Sequence, residues 1–80
     1  MEKVEIIRDI LSKLRDGKAP ANSDYNLELP ELASIVQQML DDNLIVGENA
    51  IVRSGIGNNV TFIAFNLVRI TTTGRNYLNE

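Results

Sequence analysis

An α+β domain of two amphipathic helices, a β-hairpin and a short closing helix is what this sequence predicts. Three observations lead there. Apolar residues recur at helical spacing over residues 2–16 and again over 30–42. A β-branched and aromatic run, Val60-Thr61-Phe62-Ile63-Ala64-Phe65, follows a segment rich in glycine and asparagine. The chain has 80 residues and is 44% hydrophobic, which suits one domain, residues 1–80, around one small core.

In the first helix, residues 2–16, Val4, Ile7, Leu11 and Leu14 recur in steps of three and four. Ile6 and Ile10 widen that stripe on one side. Glu5, Arg8, Asp9, Ser12, Lys13 and Asp16 occupy the other face. Glu5–Arg8 and Asp9–Lys13 have the spacing of helical ion pairs. Gly17 suits a left-handed C-terminal cap, and Pro20 prevents the helix from continuing.

Residues 17–29 form a connector whose Asn22, Ser23, Asp24 and Asn26 are turn formers. A single helical turn near Ser23 would drop Tyr25, Leu27 and Leu29 into the core. The second helix, 30–42, starts with Pro30 at its favoured first position and Glu31 at the positive dipole end. Leu32, Ile35, Val36, Met39 and Leu40 form its buried stripe, while Glu31, Ser34, Gln37, Gln38 and Asp41 face away. Asn43 closes it, because asparagine tolerates the left-handed conformation.

Residues 44–65 read as the hairpin. Leu44-Ile45-Val46 enters it, Gly47-Glu48-Asn49 interrupts it, and Ala50–Arg53 resumes it. Ser54–Asn59 makes the turn and Val60–Phe65 returns, with extended character carried on from Asn66 to Ile70. One of Thr71, Thr72 and Thr73 caps a terminal helix near 72–79, and Tyr77 and Leu78 pack back onto the first helix.

Helix, turn-rich connector, helix, hairpin and closing helix is the order of a winged-helix-like domain. Met39-Leu40-Asp41-Asp42-Asn43-Leu44-Ile45 has the form of a helix end leading into a first wing strand. Ile70-Thr71-Thr72-Thr73-Gly74-Arg75-Asn76-Tyr77-Leu78 has the form of the closing helix. With the first-helix residues Ile6, Ile10, Leu11 and Leu14, the Gly17-Lys18-Ala19-Pro20 break and the Leu44-Ile45-Val46-Gly47 strand entry, these segments resemble the YjcQ family of small bacterial and prophage proteins. The helix at 30–42 departs from that family at Gln38 and Leu40. The resemblance implies a winged-helix-like fold and a phage or prophage origin, and carries no activity with it.

Composition narrows the chemistry. The chain has no cysteine and no histidine, which excludes disulfides, zinc fingers, thiol chemistry and imidazole base catalysis. Asp41 and Asp42 are neighbours on a helix and point about 100° apart, so they do not form a carboxylate dyad. Gly55-Ile56-Gly57 lacks the further glycine and the lysine of a phosphate loop. The expectation is a protein without enzymatic activity, cofactor or metal. The N-terminus shows no apolar signal core, and no run reaches the length of a membrane span, so a cytoplasmic location with no membrane partner is expected.

Charge is unevenly spread. The net charge is −3, yet residues 19–50 hold no basic residue and six acidic ones (Asp24, Glu28, Glu31, Asp41, Asp42 and Glu48). That third is a poor surface for a polyanion. Two functional readings follow. In the first, the protein acts through protein–protein contacts, with a partner or a second copy. Strand 60–65 is apolar on both faces, with Val60, Phe62 and Ala64 pointing one way and Ile63 and Phe65 the other, so an exposed patch of Ile56, Ile63 and Phe65 is the expected contact. In the second, it is a DNA-binding regulator. Ser34, Gln37 and Gln38 would read base edges, and Arg53 and Arg69, with Lys18, would hold the backbone.

Overall fold

The computed structural model describes residues 2–55, 57 and 59–79. Among the described residues, three helices and four short strands follow one another: α1 (Lys3–Arg15), α2 (Leu29–Asp41), β1 (Ile45–Val46), β2 (Ile51–Arg53), β3 (Val60–Ile63), β4 (Arg69–Ile70) and α3 (Thr72–Leu78). Single 3-10 turns lie at Asn22–Asp24 and Phe65–Leu67. The result is a small α+β domain whose helices and antiparallel hairpin are compatible with a helix-turn-helix plus wing layout.

Both long helices stop in the same way. Past α1, Gly17 takes a positive φ of 78°; its N–H donates to the Leu14 carbonyl and the Lys18 N–H to the Lys13 carbonyl. Past α2, Asn43 takes φ 60°, and the Asn43 and Leu44 N–H groups donate to Leu40 and Met39. This paired 5→2 and 6→1 closure satisfies carbonyls that the helix leaves open.

One cluster of buried side chains joins the elements. Ile6, Ile7, Ile10 and Leu11 of α1 meet Leu32, Ile35, Val36 and Met39 of α2, with Tyr25 from the connector and Leu44, Ile45, Ile63, Phe65 and Val68 from the second half. The α1 stripe is centred one position away from the expected one: Ile6 and Ile10 form its middle, and Val4 is 53% exposed. Leu14, Leu27 and Leu40 pack at the margin of the core. Tyr77 and Leu78 also pack there, and the Arg8 guanidinium lies 5.2 Å from the centre of the Tyr77 ring.

The expected hairpin over 44–65 is corrected to the shorter pair β2–β3. β1 belongs to a separate two-stranded ladder with β4, in the register Ile45↔Ile70 and Val46↔Arg69. The turn at Phe65–Leu67 interrupts the extended chain and sends β4 back along β1. The β2–β3 pair runs Ile51↔Ile63, Val52↔Phe62 and then Arg53↔Val60. One residue, Thr61, is therefore extra on β3, and its hydroxyl donates to the Val52 carbonyl at 3.1 Å. A bulge resets the alternation. Val60 thereby shares a face with Ile63 instead of Phe62, and packs half-buried on the core.

Candidate functional site

The β2–β3 hairpin presents a different apolar surface from the expected one. Ile63 and Phe65 are each only 2% exposed and belong to the core, so they are not contact residues. Ile63 points inward because its cross-strand neighbour Ile51 also packs against the core, while Phe65 sits in the 3-10 turn rather than on a strand. Ile56, the third residue of the expected patch, lies outside the described residues. Phe62 instead faces outward, 48% exposed, opposite the half-buried Val52. Phe62 and Ile63 lie on opposite faces as strand alternation predicts, but it is Phe62 and not Ile63 that meets solvent.

A second surface lies between α2 and the β2–β3 hairpin. Ser34, Gln37, Gln38 and Asp41 of the outward α2 face, with Arg53 and Val60 of the hairpin, line one shallow groove. Four of the six residues expected to meet DNA thus converge. Their polar groups are partly committed already: the Gln37 amide donates to the Asp41 carboxylate at 3.0 Å, and the Lys3 ammonium donates to the Gln38 side-chain oxygen. Asp41 places a carboxylate inside the groove. Arg69 and Lys18 are not there.

Arg69 lines a separate groove formed by the end of α1, the Phe65–Leu67 turn, β4 and α3. Lys18 and Arg75 flank the same groove, and its lining includes Leu14, Phe65, Val68 and Ile70. No acidic residue lines it among the described residues. The sequence scatters these three cations over 58 positions, from 18 to 75, and only the packing of α3 and β4 against α1 gathers them.

The remaining polar cluster ties the connector to α1. The Tyr25 hydroxyl donates to Asp9 at 2.7 Å, and Lys13 pairs with Asp9 at 2.9 Å and Asp24 at 3.1 Å. Asp24 also accepts from the Ala21 N–H at 2.9 Å. Hydrogen bonds from Lys13 and Tyr25 hold the Asp9 carboxyl below the ordinary carboxylate range. Burial, then the bond to Asp9, pushes the Tyr25 phenol up, and the bonds to Asp9 and Asp24 push Lys13 up. Every group here is engaged by another member of the cluster, which makes it a staple for the connector. No group of three or more histidine, cysteine, aspartate or glutamate side chains is placed to hold a metal among the described residues. No helix among them is long and apolar enough to cross a membrane.

No family model, curated protein or solved structure matches the chain.

Proposed function

We propose that this chain is a winged-helix-like, non-catalytic protein that works by protein–protein contact through the outer face of its wing, and that it is kin to the YjcQ family. The observation that carries the reading is Phe62. A phenyl ring half open to water, across from Val52, is apolar surface that the protein's own core leaves uncovered. The charge pattern supports a protein partner over nucleic acid, since the outward face of α2 carries Glu31 and Asp41 and no basic residue. The test is sedimentation velocity over a range of concentrations, alone and with proteins recovered on the immobilised chain. Association that Phe62→Ser abolishes, with stability unchanged, is the expected result. Contacts indifferent to Phe62 and Val52 would refute the wing as the contact surface.

A second reading has its own support. Ser34, Gln37, Gln38 and Arg53 share one groove, as the reading face of a DNA-binding regulator would require. Binding to duplex DNA at low salt, lost steeply as salt rises and weakened by Arg53→Gln, would place this reading first.

A further inference from the structure

We propose that the groove between the end of α1, β4 and α3 binds an acidic peptide segment that carries apolar side chains. This goes beyond the wing contact and uses different residues.

Charge favours an acidic ligand here. Lys18, Arg69 and Arg75 border one groove, all three exposed, with no carboxylate in its lining among the described residues. By contrast, Lys13 bridges Asp9 and Asp24, and Arg15 contacts Asp16. In a chain of net charge −3, three cations gathered away from every lining acid make a local field that attracts a negatively charged segment. Two are arginines, whose planar guanidinium groups pair with carboxylates through two parallel hydrogen bonds.

The rest of the lining favours a ligand with apolar side chains. Leu14 and Ile70, both half-buried, put apolar side chains into the same groove above the buried Phe65 and Val68, and Asn66 adds an amide. A nucleic-acid backbone has nothing to set against those side chains, whereas a peptide with leucines between its acids does. The groove's volume, about 510 Å³, accommodates a few side chains and far exceeds a single phosphate. Its walls belong to the fold: the Lys18 N–H closes the α1 terminus on Lys13, and Arg69 sits in register with Val46 on the β1–β4 ladder. The cations are thus carried on ordered backbone before any ligand arrives.

The experiment is fluorescence anisotropy with a fluorescein-labelled peptide of alternating acidic pairs and leucines. Saturable binding to the full chain is expected. The triple substitution Lys18→Gln, Arg69→Gln, Arg75→Gln should weaken it at least about tenfold while the circular dichroism spectrum stays the same. A peptide with alanine for leucine should bind more weakly, and one with glutamine for the acids should not bind. No saturable binding, or an affinity that the triple substitution leaves intact, overturns the proposal. So does displacement of the peptide by duplex DNA or anionic vesicles at equal charge concentration, which would show a site that reads charge alone. Failure of the wing contact is read separately, in the association of the Phe62→Ser variant.

Discussion

The side-chain amide of Asn22 pairs with the backbone of Ile63 as a neighbouring strand would. The Ile63 N–H donates to Asn22 Oδ1 at 2.7 Å, and Asn22 Nδ2 donates to the Ile63 carbonyl at 2.8 Å. A residue of the connector thereby occupies the edge of β3 that faces away from β2, 41 positions along the chain. Both groups are part-buried, so removing the amide leaves an N–H and a C=O without their partner. Asn22→Ala should cost about 2 kcal/mol and lower the melting temperature by about 10 °C. Asn22→Asp should recover only part of this, because a carboxylate accepts from the N–H and has no hydrogen for the carbonyl. Urea unfolding of the three proteins checks it; equal midpoints would mean that water replaces the amide at no loss.

Gly74 lies where α3 meets the rest of the molecule. A Cβ there would stand 2.2 Å from the Leu44 carbonyl oxygen, 2.9 Å from Ile70 Cγ1 and 3.2 Å from Leu11 Cδ2. The nearest obstacle is backbone, which cannot swing aside. One turn earlier, the Thr71 Oγ1 accepts from the Gly74 N–H at 3.0 Å, and the same hydroxyl faces the Leu44 carbonyl at 3.0 Å, so α3 is pinned at the point of closest approach. Alanine favours an exposed helix by about 1 kcal/mol over glycine. Here Gly74→Ala should instead destabilise by about 2–3 kcal/mol. A variant as stable as the parent in chemical denaturation would show that α3 is free to move outward.

The helices were legible because each is long enough to show its period and ends on a residue with a conformational reason, Gly17 and Asn43. The closing helix and its threonine cap were also readable, since Thr71, Gly74 and Tyr77 each have a local role. The strands were less so. A two-residue strand such as Ile45–Val46 carries no alternation, and nothing local says that it pairs with Arg69–Ile70 rather than with its successor. The bulge at Thr61 moves Val60 to the inner face without a glycine to announce it, and Phe62 and Ile63 are equally apolar, so only packing decides which is inside. The convergence of Lys18, Arg69 and Arg75 is tertiary throughout: each is an isolated cation in the sequence.

Stability should fall at both ends of the pH scale through the cluster of Asp9, Lys13, Asp24 and Tyr25. Asp9 and Asp24 titrate lower in the folded protein than in the unfolded chain. Their contribution is therefore complete above the unfolded value, near pH 4, and is lost as pH falls through the lower folded values. Tyr25 and Lys13 titrate higher when folded. Their contribution is complete below about pH 10 and disappears as pH rises through the higher folded values. Asp9→Asn should flatten the acid limb of a plot of urea midpoint against pH and cost about 1 kcal/mol at neutral pH. Tyr25→Phe should leave the acid limb largely in place and reduce the alkaline one. An Asp9→Asn curve parallel to that of the parent at every pH would assign the acid sensitivity to other groups.

Asn43 ends α2 with φ 60°, and the chain must turn there to bring Leu44 and Ile45 into the core. A left-handed residue with a Cβ carries a penalty of about 1 kcal/mol or more, which asparagine meets at lower cost than most and glycine avoids. The Asn43 side chain is exposed, and its carbonyl, which accepts from Thr71, survives any substitution that keeps the turn. Asn43→Gly should therefore leave stability unchanged or raise it by up to about 1 kcal/mol. Asn43→Val should lower it by about 1–2 kcal/mol, because a β-branched residue is the least tolerant of this conformation. Urea midpoints for the pair check the ordering, and a valine variant as stable as the glycine one would mean that α2 ends in some other way when Asn43 is replaced.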